Sequence, residues 1–200
     1  MPRPQTISTE GILNTAKRLF LEHGHSVPTA RIARAAGISE GTIFKRFGTK
    51  AELFQRAMDL PEFHALEQLS SRAGQGALRD NVERLAVELL AYFRLLLPVV
   101  MRLKASPMCD PIALLRSDPD TGPHLVLRGV TTYFREEIKL GRLRPSDPEV
   151  MARMLIGSVH NYAFFESLGV HSPVPLDDDA YVHGLLELLW TGISLPPCTT

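Results

Sequence analysis

The chain has 200 residues, 44% of them hydrophobic, and its 22 basic and 22 acidic side chains give a formal net charge of zero. This hydrophobic content supports a packed core and excludes global disorder. Two cysteines are too few for a disulfide framework and indicate a reducing, cytoplasmic setting. The N-terminal segment lacks the apolar stretch of a signal peptide, and no apolar run approaches the roughly 20 residues of a membrane span.

The charge is unevenly distributed along the chain. Residues 1–58 contain nine Lys and Arg but four Glu, an excess of five positive charges that the remaining residues balance with an excess of five negative charges. A basic end on an acidic body is typical of contact with a polyanion. Chance clustering on solvated helix faces gives the same count, so both interpretations stay open here.

The N-terminal region predicts a helix followed by a turn. Apolar residues recur at helical spacing between Ile12 and Phe20, which indicates a first helix over about residues 8–23 that Gly24 ends. Pro28 then suits the first turn of a second helix.

Residues 29–50 predict a helix, a tight turn and a second short helix. Gly37 stands where a helix end needs a residue that tolerates the left-handed conformation, and Ser39 stands where the next helix needs a capping oxygen. The helix after the turn, residues 40–47, carries hydroxyl and basic side chains. This is the layout of a helix-turn-helix, whose second helix enters the DNA major groove.

Helical patterns continue to the end of the chain. Thr49 and Glu52 form a capping box that starts a fourth helix after Gly48. We expect loops at residues 70–76, 117–123 and 171–179, and Pro98 is expected to kink or divide a long helix. The remaining helices are predicted over residues 123–140, from the Ser146-Asp147-Pro148 start to about Leu168, and 180–193.

The last two predicted helices are apolar on more than one side. A helix that needs two apolar partners is either central in a monomer or pairs with a second subunit, and the small residues on these helices favour a four-helix dimer interface. The residues expected at that interface are Met151, Met154, Leu155, Tyr162, Leu185, Leu188 and Leu189.

These N-terminal motifs resemble those of the TetR family of transcriptional regulators. The family pattern ILxxAxxLFxxxG is matched by Ile12, Leu13, Ala16, Leu19, Phe20 and Gly24. The pattern IAxxAGxSxGTxYxxF is matched by Ile32, Ala33, Ala36, Gly37, Ser39, Gly41, Thr42 and Phe47, and the following K-x-x-L by Lys50 and Leu53. The usual tyrosine of the third helix is Phe44 here.

The resemblance implies an all-α fold with two domains. A three-helix helix-turn-helix DNA-binding domain is expected over residues 1–50, with a fourth helix at about 50–60 as connector. A larger helical domain for effector binding and dimerisation is expected over residues 60–200. Thr42 and Lys45 should face outward to read bases, while Gly41 lets the backbone approach the DNA. The full set of expected DNA-binding residues is Thr29, Arg31, Ser39, Gly41, Thr42, Phe44, Lys45, Arg46 and Lys50.

The resemblance also implies an effector pocket within the second domain. A mostly apolar pocket favours a hydrophobic or aromatic small molecule. Its expected lining residues are Phe93, Met101, Tyr133, Phe134, His160, Asn161 and Phe164, although each of them is also compatible with an ordinary core position. The expected partners are therefore a double-stranded, near-palindromic DNA operator, a second copy of the chain and an unidentified effector, with no membrane, cofactor or metal. We expect a cytoplasmic protein that is associated with the nucleoid when bound to DNA.

Three other functions remain open from the sequence. The chain could be a small-molecule sensor that has lost specific DNA recognition, or an all-α enzyme with an accidental helix-turn-helix. No catalytic residues are proposed, because the seven histidines show no ligand or triad spacing. A thiol sensor that acts through Cys109 is the third.

Overall fold

The computed structural model describes residues 7–106, 122–170 and 176–193, and within these ranges the chain is helical and has no strand. The described residues form two compact units, residues 7–60 with 98–106, and residues 61–97 with the described residues from 122 onward. The helices of these ranges are α1 (Thr9–His23), α2 (Thr29–Ala35), α3 (Glu40–Phe47), α4 (Lys50–Ala57), α5 (Ala65–Arg72), α6 (Leu78–Lys104), α7 (Gly122–Lys139), α8 (Pro148–Ser167) and α9 (Asp178–Ile193).

The first unit is built on a compact apolar core. Ile12, Phe20, Ile32, Ile43 and Leu53, one or two from each of its first four helices, have no exposed surface. Full burial of side chains of this size contributes roughly 1.5–3 kcal/mol each to folding. This core fixes the orientation of α3 against the rest of the unit.

The last turns of α6 also belong to the first unit. Val99 and Leu103 are each 1% exposed and pack into the same core. A domain boundary at residue 60 does not include these two core residues, because they lie about forty positions further along the chain. Pro98 lies inside the continuous helix α6, so it does not divide that helix, and a kink at this position stays a prediction. Burial of its neighbours Leu97 and Val99 offsets the missing backbone hydrogen bond.

Side-chain caps start α1 and α4, and the predicted capping box of α4 is confirmed. Ser8 caps α1 by accepting a hydrogen bond from the Gly11 N–H at 3.0 Å. The capping box of α4 is complete, since the Thr49 N–H donates to Glu52 at 3.0 Å and the Glu52 N–H donates to Thr49 at 3.1 Å. Gly48, which precedes it, has a φ of 74°, and a Cβ there would collide with the Glu52 carboxylate.

The predicted loop at residues 70–76 is shorter than expected. Helix α5 continues to Arg72, whose guanidinium donates two hydrogen bonds to Glu88 of α6, each at 2.8 Å. That ion pair holds the last turn of α5 in helical form. The turn that follows contains Gly74 and Gly76, both with positive φ.

The start of α8 matches the expected signal, whereas α9 begins earlier than expected. Asp147 caps α8 by accepting from the backbone of Glu149 at 2.8 Å. Helix α9 begins at Asp178, two residues before the expected position, because Asp177 accepts a hydrogen bond from the Ala180 N–H at 2.7 Å. Of the predicted loops, residues 117–121 and 171–175 lie outside the described residues, as do Cys109 and Cys198.

Candidate DNA-binding surface and effector site

Helices α2 and α3 form the helix-turn-helix. Gly37 has a φ of 67°, and its N–H donates to the Arg34 carbonyl at 3.1 Å, which closes the end of α2. Ser39 then caps α3 by accepting from the Thr42 N–H at 3.2 Å. The two signals read from the sequence therefore produce the tight turn that directs α3 away from α2.

The outer side of α3 presents a mixed apolar and basic surface. Gly41, Phe44 and Lys45 are exposed, and Phe44 keeps 43% of its surface accessible. Thr42 is half-buried, and its hydroxyl lies 2.8 Å from that of Ser39. Phe44 thus lies on the surface that faces outward, where an aromatic ring is available for contact with sugar or a thymine methyl group.

Arg46 is partly committed to the protein itself. Its guanidinium donates to the carbonyl oxygen of Ile7 at 2.9 Å, and the side chain is half-buried. Because a guanidinium has five N–H donors, this bond leaves others for a second partner. The contact also ties Ile7, two residues before the start of α1, to the end of α3.

Thr29 lies in a different environment from the other expected DNA-binding residues. It is only 9% exposed, and its hydroxyl donates to the carboxylate of Glu40 in the first turn of α3. Arg31, on the same short helix, is exposed and contacts the ring of His23 at 2.8 Å. Lys50, the first residue of α4, is half-buried.

The second unit contains a continuous line of aromatic rings. Phe93 of α6 meets His160 of α8 edge-on at 5.0 Å between ring centroids, and His160 stacks on Phe164 at 6.0 Å. Burial lowers the pKa of His160, so its imidazole is neutral at physiological pH. The structure therefore brings three of the expected effector residues into one cluster.

The other four expected effector residues are not members of that cluster. Tyr133 and Phe134 are buried next to each other on α7, with ring centroids 5.7 Å apart. Asn161 is exposed, because it follows His160 directly and projects from another side of α8. Met101 belongs to the part of α6 that groups with the first unit.

Tyr92 extends the aromatic line and was not among the expected residues. Its ring lies 5.4 Å from that of Phe93 and 5.3 Å from that of Phe63. Burial raises the pKa of Tyr92 to about 12, and its hydroxyl has no hydrogen-bond partner among the described residues. A buried hydroxyl without a partner is the signal that identifies this residue, and only the folded structure reveals it.

A buried carboxylate lies at the other end of α7. Glu137 has no exposed surface, accepts from the Gly74 N–H at 3.2 Å and lies 3.3 Å from the guanidinium of Arg142. Burial and this neighbouring carboxylate raise the pKa of Tyr133. These contacts fasten the turn between α5 and α6 to α7.

The expected interface residues divide into buried and exposed groups. Met151 and Leu155 are 6% and 1% exposed. They therefore pack inside the subunit, behind the expected dimer interface. Met154 and Leu188 are 50% and 79% exposed. A small cavity of about 10 Å³ is lined by Val82, Phe134, Met151, Met154, Leu155 and Leu189, which places expected interface residues beside an expected effector residue.

Tyr162 and Leu185 complete the expected interface set. The Tyr162 ring stacks on Tyr181 of α9 at 4.0 Å, and its hydroxyl donates to the Leu176 carbonyl at 2.7 Å. Leu185 is half-buried. Tyr162 therefore joins α8 to α9 within one subunit.

The described ranges contain neither a cluster of metal ligands nor a membrane-spanning helix. Within them, no three His, Cys, Asp or Glu side chains lie together as metal ligands would. None of the described helices combines the length and apolar character needed to cross a membrane.

Two protein-family models match the chain. Residues 12–57 match the model of bacterial regulatory proteins of the tetR family, and residues 113–184 match the model of the AefR-like transcriptional repressor C-terminal domain. Together they span more than half of the chain. No match was found among curated proteins.

Solved structures share the fold over almost the whole chain. NalD of Pseudomonas aeruginosa, the secondary repressor of the MexAB-OprM multidrug efflux pump, is 24% identical with a TM-score of 0.60 and covers 92% of this chain and 94% of its own. A TetR family regulator from Pseudomonas syringae pv. tomato is 20% identical with a TM-score of 0.64, at 96% and 100% coverage. SmeT, the repressor of the Stenotrophomonas maltophilia efflux pump SmeDEF, is 21% identical with a TM-score of 0.59, at 98% and 94% coverage.

Proposed function

Because this chain belongs to the TetR family of bacterial transcriptional regulators, we propose that it is a dimeric repressor that a small, largely hydrophobic effector releases from DNA. The DNA-binding domain is residues 1–50 with α4 as connector, and residues 60–200 bind the effector and form the dimer. The protein acts in the cytoplasm, on the nucleoid when DNA is bound, and has no catalytic role.

The observation that carries this proposal is the exposed surface of α3. Lys45, Phe44 and Gly41 project from a short helix whose opposite side, at Ile43 and Phe47, is buried. A rigid helix with exposed basic and small residues suits insertion into the major groove. Thr42 and Lys45 read base edges.

The remaining contacts go to the DNA backbone. Arg31, Ser39, Arg46 and Lys50 surround the two ends of the motif and supply charge or hydrogen-bond donors for phosphates. Such contacts fix the register of α3 on the duplex without reading sequence.

The dimer is supported by an exposed apolar stripe along α8. Val150, Met154 and Phe165 are 53%, 50% and 45% exposed and follow one another at helical spacing. Gly157 lies on the same stripe, and a Cβ there would meet no neighbouring atom within the subunit. Leu188 adds a leucine of α9 that is 79% exposed. Exposed apolar residues grouped on one side of a helix mark interaction surfaces, and a second copy of α8 and α9 would cover them.

The effector binds beside the aromatic line. Phe93, His160 and Phe164 offer flat apolar surfaces, while the Tyr92 hydroxyl offers one buried polar contact. One structural neighbour is SmeT in complex with triclosan. The SmeT chain of that complex is 20% identical to this chain, with a TM-score of 0.60. An aromatic compound with one polar group fits the same chemistry.

Release works by a shift between two populations. The effector binds more tightly to a dimer whose recognition helices are wrongly spaced for successive major grooves, so operator affinity falls as effector concentration rises. DNA and effector therefore weaken each other's binding by the same factor.

In vitro selection from random duplex DNA tests the proposal. We expect the full chain to select a near-palindrome whose half-sites are about one helical turn apart, roughly 34–36 Å. Convergence on no sequence would instead favour a small-molecule sensor that has lost specific DNA recognition.

A further inference from the structure

We propose that Thr29 and Glu40 are a positioning pair that sets the orientation of the recognition helix, and that the Thr29 hydroxyl makes no phosphate contact. This inference rests on the proposed DNA-binding function. It assigns a role to two residues that lie behind the DNA-facing surface. Glu40 was not among the residues expected from the sequence.

The chemistry of the hydroxyl group carries the first step. A threonine hydroxyl has one proton to donate, and a phosphate at neutral pH accepts hydrogen bonds and offers none in return. The Thr29 hydroxyl donates its proton to the Glu40 carboxylate. Contact with a phosphate would therefore require this bond to break.

Burial carries the second step. Thr29 is 9% exposed, and Glu40 is half-buried although it is acidic. A carboxylate on the first turn of a helix that approaches DNA would repel phosphates if it were free to point outward. The bond to Thr29 instead holds it against α2, and the positive end of the α3 dipole stabilises its charge.

The location of the bond carries the third step. It joins the first residue of α2 to the first residue of α3, eleven positions apart, across a turn closed by Gly37. The buried Ile32 and Ile43 hold the two helices together but have no directional bond. A charge-assisted hydrogen bond is directional and restricts how α3 rotates relative to α2.

The test compares binding of the full chain to its selected operator and to a scrambled duplex. Thr29→Val removes the hydroxyl while keeping a branched side chain of similar size, and Glu40→Ala removes the acceptor. We expect each to weaken operator binding about tenfold with little change for scrambled DNA, and the double variant to be no weaker than either. Glu40→Gln keeps an acceptor oxygen and should stay close to wild type.

Matched controls come from α1 in the same unit. Thr15→Val removes a hydroxyl that bonds only to the Gly11 carbonyl within α1, and Glu10→Gln removes an acid from the first turn of that helix. Neither should change the ratio between operator and scrambled DNA.

Three outcomes would overturn the pair. If Thr29→Val weakened both duplexes by the same factor, Thr29 would be a phosphate contact, since such contacts act uniformly across sequences. If Glu40→Ala strengthened binding to both duplexes, Glu40 would be a repulsive surface acid.

Amide exchange in the free protein tests the pair without DNA, because Thr29→Val should speed exchange in α3 but not in α1. Unchanged exchange in α3 would also contradict the pair. Failure of the proposed DNA-binding function can be distinguished from failure of the pair, because the wild-type protein would then show no preference for the operator.

Discussion

Arg94 of α6 forms a two-pronged ion pair with Glu166 of α8, with nitrogen–oxygen distances of 2.8 and 3.0 Å. The same guanidinium donates to both carboxylate oxygens of Asp178, at 2.6 and 2.7 Å. One side chain therefore joins α6, the end of α8 and the start of α9. Since α8 and α9 carry the proposed dimer surface, Arg94 fixes the relative position of the helices that build it.

Replacement of Arg94 should loosen this junction. We expect Arg94→Met to lower stability by about 1 kcal/mol, because all three side chains are partly exposed and solvent screens their attraction. For a chain of this size that is a fall in Tm of roughly 2–4 °C. Calorimetry measures it, and Arg84→Met, which removes another exposed arginine of α6, is the control. An equal fall in both variants would show that the junction adds nothing specific.

The same junction should make stability depend on acid pH. Arg94 lowers the pKa of Asp178 below its usual value. A carboxylate whose folded pKa is depressed adds stability that is fully present above its unfolded pKa of about 3.9 and is lost as pH falls through the folded value. Urea unfolding between pH 3 and 6, at roughly half-unit steps, should therefore show a steeper loss for wild type than for Arg94→Met. Parallel curves would contradict this.

His160 should titrate abnormally. Burial lowers its pKa below the usual value of about 6.5, because charging the ring between Phe93 and Phe164 costs solvation. The unfolded chain then binds more protons, so stability falls as pH drops from the unfolded pKa towards the folded one. An NMR titration of the histidine ring protons measures the pKa of His160. An effector bound beside His160 should shift its resonance and leave that of His64 unchanged.

Loss of the charge at Lys45 and loss of the charge at Lys50 should have different effects on DNA binding. Lys45→Gln should weaken binding to the operator far more than to scrambled DNA, because a base contact is lost. Lys50→Gln should weaken both duplexes alike and reduce the slope of log affinity against log salt by about 0.9. Fluorescence anisotropy over a salt series distinguishes the two. A uniform effect of Lys45→Gln would reassign it to the phosphate backbone.

The exposed stripe of α8 and α9 should be sensitive to a new charge. Leu188→Arg places a charge where a partner would bury it, so we expect a dimer to become a monomer in analytical ultracentrifugation. Val87→Arg is the matched control, since Val87 is 46% exposed and belongs to α6, which is not part of the stripe. Dissociation by the control as well, or a monomeric wild type, would refute the interface.

Local signals made the first unit predictable. Gly37, Ser39 and the pair of Thr49 with Glu52 each act within three or four residues, and the structure has all of them in the expected role. Capping and turn chemistry depend on near neighbours in the chain, so the spacing of residue types is enough to identify them.

Contacts between distant residues could not be predicted in the same way. Thr29 and Glu40, Arg46 and Ile7, and Arg94 with its two acids lie 11 to 84 positions apart. The aromatic line was found in part, since Phe93, His160 and Phe164 meet. Tyr92 was missed because its unpartnered hydroxyl becomes a signal only once burial is known.

One measurement tests the central claim most directly, namely the affinity of the full chain for its selected operator and for a scrambled duplex of the same composition. Fluorescence anisotropy at several salt concentrations gives both values. We predict a preference for the operator of at least about 10³ together with a steep loss of affinity as salt rises. Equal, weak and salt-sensitive binding to both duplexes would contradict sequence-specific regulation by this protein.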